Sequence, residues 1–477
     1  MDIYLTNTLN GQKEVFTPLA PDRVGIYSCG PTVYSYAHLG NLRSYIFPDV
    51  LKKLFRHEGY QVTHVINITD VGHLTDNADA GEDKVERAAA EEKKTAWEVA
   101  EFYTQAYLQD LKRLNIEAPT HLVKATDHLP EMIALIQKLE ERGFTYRTSD
   151  GIYFDISKFP DYGIMSNLAK SELLEGARVE VNEEKKNPSD FALWKFSPRQ
   201  VAGKSAGGEK RQMEWDSPWG TGFPGWHIEC SAMSMKYLGH HFDIHTGGQD
   251  HISTHHPNEI VQSEAATGEK FVNYWLHGYF LVMGKDLRMG KSEGNALLLQ
   301  DLIDRGYSPV HYRYLCLGAH YRSYLTFSWE ALDGAKNAYA SLRQKVQTLK
   351  ANSNGGTGDA EKYRQKIFAA LADDLNTPLA LGEMWKLVKD EAVSPTASLQ
   401  LIGEVDHILS LDLLKESVRV ILEIPEGVKD LAEKRWQLRQ QGDFAGADKL
   451  REELLALGYE LRDAKEGYEI NQINPRG

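Results

Sequence analysis

The apolar run Val24-Gly25-Ile26-Tyr27-Ser28-Cys29-Gly30 predicts a short buried strand that ends in a glycine turn. From about Leu39 to Glu58, apolar residues recur at helical spacing, with Ile46, Val50, Leu51 and Leu54 on one face. Tyr60 to Ile68 predicts a second strand. This order of strand, loop, helix and strand predicts a parallel α/β sheet of the doubly wound, Rossmann-like kind. Lys84 to Leu114 is charged and helical in pattern, and Asp127 to Arg142 reads as another amphipathic helix. Residues 143–220 are turn-rich and predict an insertion into the sheet domain. Sheet character returns at Phe242-Asp243-Ile244-His245 and Phe280-Leu281-Val282-Met283. From about Tyr321 onward the pattern is helical, with a Gly/Asn-rich linker at Asn352 to Gly358. Beyond Ile424-Pro425-Glu426-Gly427 lies a last small domain: a helix, a Gly442-Asp443 break, a second helix and a strand at Tyr459-Glu460-Leu461.

A chain of 477 residues is too long for one core. Its composition, 42% hydrophobic and 26% charged, is that of a globular protein, and no apolar run is long enough to span a bilayer. Three cysteines exclude a disulfide scaffold and suggest a reducing, cytoplasmic location. The start Met1-Asp2-Ile3-Tyr4 lacks the basic region of a secretory leader. The net charge of −14 argues weakly against a nucleic-acid partner, although a local basic face can coexist with an acidic remainder. Lys195, Arg199, Lys204, Lys210 and Arg211 surround Ala206-Gly207-Gly208 and predict a mobile basic loop.

Four residues change this picture. His255 and Glu259 stand four apart at a helix start, which stacks them on one face. With Cys29 and Cys230 they would offer two thiolates, an imidazole and a carboxylate, a set that suits Zn²⁺. A lone cysteine is ordinarily a small buried hydrophobe, so spacing alone does not make the site. Cys316, on an apolar helix, is read as that kind of core residue. His38-Leu39-Gly40-Asn41 falls at the strand-to-helix turn, where backbone N–H groups favour anions. Arg288-Met289-Gly290-Lys291-Ser292 offers a flexible loop with a mobile positive charge. Taken singly, the first is a helix cap and the second a basic surface turn.

Together these two strings resemble the paired HIGH and KMSKS signatures of class I aminoacyl-tRNA synthetases. Cys29-Gly30-Pro31-Thr32-Val33-Tyr34, Asn67-Ile68-Thr69-Asp70, Phe223-Pro224-Gly225-Trp226-His227-Ile228-Glu229-Cys230, Phe242-Asp243-Ile244-His245 and His255-His256-Pro257-Asn258-Glu259 resemble, in order, the cysteinyl-tRNA synthetase family. The resemblance runs from about residue 2 to about 465. It implies a Rossmann-like catalytic domain in two halves (1–115 and 220–275), a connective insertion (116–219) and a stem-contact region with the KMSKS-like loop (276–325). A helical bundle (326–422) and a C-terminal anticodon-binding domain (423–477) would follow.

The resemblance also implies roles. Cys29, Cys230, His255 and Glu259 would hold one zinc, and Thr69, Trp226 and His245 would surround the bound amino acid. His38, Asn41 and Lys291 would be catalytic at the ATP phosphates, and Gly40, Gly248 and Asp250 would complete the ATP site. Trp436, Arg439 and Asp448 would read tRNA(Cys). The implied reaction uses L-cysteine, ATP and Mg²⁺, passes through cysteinyl-adenylate and needs no editing domain. The chain is expected to act as a monomer. Three departures stand out, the first two being that Asn41 replaces the second histidine of HIGH and that KMSKS has become RMGKS. In the third, Gly467-Tyr468-Glu469-Ile470 stands where the family closes with a Gly-Thr-x-Trp-like strand. Relatives that pass cysteine to a small amine typically lack the C-terminal domain, so residues 425–477 favour tRNA as acceptor.

Overall fold

Five strands form the sheet at the centre of the larger unit: β1 (Arg23–Ser28), β2 (Gln61–Ile68), β3 (His121–Lys124), β4 (Phe242–Gly248) and β5 (Val272–Gly278). All are parallel, in the order β5-β4-β1-β2-β3. The computed structural model describes residues 1–71, 74–76, 80–160, 162–163, 165, 183–197, 211–284, 287–290, 294–352, 356–415, 425–464 and 467–472. It divides into units Met1–Leu414 and Lys415–Gly477.

The sheet is covered on both faces, which is why its strands read as apolar runs and not as alternations. The last five residues of β2 are all buried. Helix α1 (Leu39–His57) follows β1, α2 (Trp226–Leu238) leads into β4, and α3 (His256–Thr267) joins β4 to β5. The strand order reverses between β1 and β4, so the crevice at their C-terminal ends is the topological switch point where ligands bind in such sheets.

Helix α1 is buried nearly all round and carries Arg43, Asp49, Lys52 and Lys53 into the interior. Each finds partners. The guanidinium of Arg313, fully buried, donates to Asp49 (2.7 Å) and to the carbonyls of Leu114 and Leu409. It thereby ties α1 to the helix Pro395–Leu409. Removing one partner of such a buried pair costs about 3–5 kcal/mol, because the other charge is left uncompensated.

Two regions differ from their sequence patterns. The charged stretch 84–114 is two helices, Lys84–Glu92 and Ala96–Arg113. Lys93 turns the chain at φ 55°, and the Thr95–Glu98 capping box restarts it. The turn-rich insertion contains a four-stranded antiparallel sheet, in the order Gly222–Pro224, Phe191–Phe196, Gly151–Phe154 and Thr145–Arg147. Its strands are short, and the two central ones are buried on both faces, so no alternation marks them. The ends of the expected basic loop are anchored: Lys195 pairs with Asp150 (2.6 Å) and Arg211 with Asp83 (2.6 Å). Arg199, Lys204, Lys210 and the glycine centre lie outside the described residues.

Four helices, Trp329–Ala351, Glu361–Ala372, Thr377–Leu387 and Pro395–Leu409, complete the larger unit. The smaller unit packs helices Glu426–Gln440 and Phe444–Ala456 with the hairpin Tyr459–Ala464 and Gly467–Gln472. Its core is small: Val428, Ala432, Leu454, Tyr459 and Leu461.

Candidate active site

Strand β1 delivers Cys29 to the switch point. Its amide donates to the Thr246 carbonyl of β4 (3.1 Å). The next residue must be glycine, because a Cβ on Gly30 would lie 1.5 Å from the Asn67 carbonyl oxygen. The loop beyond is stitched to the end of β2: Thr69 N donates to the Pro31 carbonyl (3.0 Å) and Val33 N to the Thr69 carbonyl (3.1 Å). Thr69, buried at the strand's end, therefore sits beside the cysteine loop, and its hydroxyl accepts from Asn67 Nδ2 (3.1 Å).

Helix α2 brings Cys230 to the same place, and the start of α3 brings His255 and Glu259. Ligand atoms of Cys29, Cys230, His255 and Glu259 all lie within 4.8 Å of one another. His255 Nε2 is 3.0 Å from Glu259 Oε1 and 3.4 Å from Cys230 Sγ. All four are buried. Burial opposes every charge here, yet neighbouring groups prevail at three of the four. Glu259 and Cys230 raise His255 to about 10, and His245 and His255 hold Glu259 well below the usual carboxylate range. Burial would push Cys230 up, but the Cys29 thiol donating to it and the His255 charge bring it to about 6. Cys29 keeps its proton, raised by burial and by Cys230. Two sulfurs, an imidazole and a carboxylate converging in a dry cage form a donor set that fits a thiophilic dication, whose binding displaces these protons.

A second group overlaps the first: Cys29, His245, His256 and Glu259. His245 Nε2 is 2.9 Å from Glu259 Oε2, and His256 Nε2 is 3.3 Å from Cys29 Sγ. His256 was not singled out from the sequence; its pairing with His255 in the string His-His-Pro was the available signal. A further layer orients the cage. His227 Nδ1 is 2.9 Å from His255 Nδ1, and Asn258 bonds the far nitrogen of His227 (3.1 Å). His256 Nδ1 meets His277 (2.8 Å), which in turn meets Thr8 (2.8 Å). Such partners fix ring orientation and tautomer around a metal. The half-buried Trp226 stacks on the His255 ring at 4.2 Å.

The other end of the crevice is polar. His38 is the N-cap of α1 and forms a reciprocal capping box with Asn41: Asn41 N donates to His38 Nδ1, and His38 N to Asn41 Oδ1, both 3.2 Å. The capping role and a phosphate role are thus compatible, since the cap fixes both side chains at the helix N-terminus. A Cβ on Gly40 would lie 2.9 Å from the His38 ring, so glycine leaves room for the capping imidazole, and the Met289 carbonyl lies 3.7 Å from the same point, which brings the RMG segment to the helix start. Arg288 pairs with Asp250 (3.0 Å) and covers the Phe280 ring. Asn295, which sequence reasoning missed, staples this segment: it accepts from Gly290 N (2.9 Å) and donates to the Arg288 carbonyl (3.1 Å). Gly248 ends β4 just ahead of Asp250. Lys291 lies outside the described residues.

Cys316 is buried, and its thiol is raised to about 11 by that burial, as suits a core residue. In the smaller unit, Arg439 and Asp448 are exposed on the two helices, and Trp436 packs against Tyr468 (6.0 Å).

Residues 15–337 match the family model of the class I (C) tRNA synthetase catalytic domain. The cysteine–tRNA ligase of Treponema denticola is 45% identical over 97% of this chain and 98% of its own length. Cysteine–tRNA ligase 1 of Burkholderia lata is 46% identical over 98% and 97%, and the Thermus thermophilus cysteine–tRNA ligase 41% identical over 98% of both. The chain therefore belongs to the cysteine–tRNA ligase family of class I tRNA synthetases. Methionyl-tRNA synthetase of Mycobacterium tuberculosis, in complex with methionyl-adenylate, shares the fold, with a TM-score of 0.55 at 15% identity over 82% of this chain and 91% of that one.

Proposed function

We propose that this chain activates L-cysteine with ATP and passes it to the 3′ end of tRNA(Cys). The observation that carries the substrate choice is the buried cage of Cys29, Cys230, His255 and Glu259 at the switch point. A zinc ion held by these four would supply a thiophilic Lewis acid that distinguishes a cysteine thiolate from a serine hydroxyl. Discrimination of ~10⁴-fold is within reach of a site that engages the distinguishing polar group directly, so a second hydrolytic site is not needed.

The chain's own residues do the rest. Thr69 and Trp226 flank the cage and position the amino acid, while His245 braces Glu259. The cysteine carboxylate attacks the α-phosphorus of ATP, forming cysteinyl-adenylate and expelling pyrophosphate. Charge grows on the phosphates, and His38, Asn41 and Lys291 would stabilise it, with Mg²⁺ arriving on the nucleotide. Gly40 and Gly248 leave room for the nucleotide, and Asp250 receives its ribose. A ribose hydroxyl of tRNA then attacks the adenylate carbonyl, and AMP leaves. Trp436, Arg439 and Asp448 contact unpaired bases by stacking and edge hydrogen bonds. Among the described residues no helix is long and apolar enough to cross a membrane; a cytoplasmic monomer is the working form we propose.

ATP–pyrophosphate exchange on metal-replete protein tests this, with cysteine, serine and methionine side by side. Exchange with cysteine alone supports the assignment. No exchange with any of the three, despite one bound zinc, would replace it with a non-catalytic binding role.

A further inference from the structure

Arg43 is a buried cation without a buried anion. It lies on α1, five residues after His38, and is 6% exposed. Among the described residues no carboxylate pairs with it. Its guanidinium instead gathers four backbone carbonyls. Nη1 donates to Tyr279 and Phe280 (2.7 Å each), and Nη2 to Ser323 (2.7 Å) and His320 (3.3 Å). A buried charge is costly to desolvate, and carbonyl dipoles compensate it less than a carboxylate does. A planar fork of donors is the one feature that a neutral side chain of similar size does not offer.

Those carbonyls have a common place. Tyr279 and Phe280 lead into the strand Leu281–Met283, and His320 and Ser323 lead into Leu325–Phe327, its parallel neighbour. Leu281–Met283 also pairs with Leu287–Arg288, in the register Val282 to Arg288. The fork therefore holds the base of the segment that continues as Arg288-Met289-Gly290. Phe47, one turn along α1, stacks on Tyr321 at 4.7 Å and pins the same base. The far side of the segment returns to α1 as well: Leu39 N donates to the Leu297 carbonyl (2.8 Å), and His38 bridges to Leu298.

We infer that Arg43 is a positioning residue for adenylation, setting the distance between the His38–Asn41 helix start and the Arg288–Gly290 segment. It touches neither nucleotide nor amino acid. This inference rests on the proposed reading of both segments as the ATP-phosphate site. A lysine at position 43 keeps the charge but presents three donors from one point, so it cannot span both carbonyl pairs.

The test is cysteine-dependent pyrophosphate exchange on zinc-loaded, full-length Arg43→Lys and Arg43→Met, beside Lys291→Ala. Arg43→Lys is expected to lower kcat roughly 10–100-fold, since a shift of about 1 Å between positioned groups has that effect. KM for cysteine should stay within about twofold and zinc content should not change, because the cage is built elsewhere. Arg43→Met should lower kcat further, with partial recovery in the lysine variant. Unchanged kcat in Arg43→Lys, with Lys291→Ala impaired, would overturn the inference and leave the phosphate site standing. Equal losses of kcat, cysteine binding and zinc would also overturn it, by reducing Arg43 to general support. If Lys291→Ala itself keeps full kcat, the phosphate reading fails, and this inference with it.

Discussion

At one end of the crevice, Cys29, Cys230, His255 and Glu259 are between 0% and 9% exposed and converge within 4.8 Å. At the other end, the side chains of Arg288 and Asp250 form an ion pair while 50% and 42% exposed. The first end is built from strand and helix termini and backed by a layer of histidines. The second is a helix cap facing a stapled loop. On the proposed reading, the difference matches what each end would have to recognise. Sulfur and oxygen differ little in shape, so selection between them needs a fixed, dry electrophile with its donors already in place. A triphosphate is large and highly charged, and its departure as pyrophosphate requires groups that can follow it. On that reading, the buried sulfur end would set specificity and the more exposed phosphate end the rate.

The sharpest way to break this division is Cys230→Ser. It removes one sulfur donor and leaves the phosphate end untouched. Cysteine-dependent exchange should fall by ~10³-fold or more, with loss of tightly bound zinc measured on the same preparation. Retained exchange at full zinc occupancy would move the metal to the overlapping group of Cys29, His245, His256 and Glu259 and make Cys230 dispensable.

Lys291→Ala probes the other end and should cost somewhat less. Loss of one charge-stabilising donor lowers kcat by about 10²–10³-fold. KM for cysteine should barely move, because the cage is intact. An unchanged kcat in single-turnover adenylation would sink the phosphate role of this loop.

Much of this architecture is legible in the sequence, and the illegible part has a physical reason. The β1 strand, α1 and the His255–Glu259 pair are local patterns: an apolar run ending in glycine, a helical stripe and an i,i+4 spacing. The histidines behind the cage are not local. His245 on β4 meets Glu259 on α3, and His277 reaches His256 on the same helix from β5. No spacing rule anticipates contacts set by how a helix packs on the strands of a sheet. The insertion was missed as a sheet because its central strands are buried on both faces and show no alternation. Arg43 and Asn295 escaped for a different reason. Their partners are mainly backbone carbonyls and amides, which every residue carries and no side-chain motif announces.

Asp448→Ala tests whether the smaller unit stands apart from both ends. Asp448 is exposed on the helix Phe444–Ala456. Losing one base-edge contact is worth about tenfold in aminoacylation of tRNA(Cys), and pyrophosphate exchange should be unaffected. Equal losses in both assays would mean that the residue supports folding or the catalytic unit, and not RNA reading.

The smallest effect is expected from Arg288→Ala. The Arg288–Asp250 pair is solvent-exposed, and such pairs contribute about 0–1 kcal/mol. If Asp250 receives the ribose, the pair must also yield when ATP binds, so removing Arg288 takes away a competitor as well as a cation. The two effects oppose each other. KM for ATP should therefore change by no more than about fivefold in either direction, with kcat nearly constant. Raising the salt concentration should shrink even that difference, because exposed charges are screened. A fall in kcat comparable to that of Lys291→Ala would show that Arg288 acts on the transition state directly, and the phosphate end would then be as rigidly organised as the sulfur end.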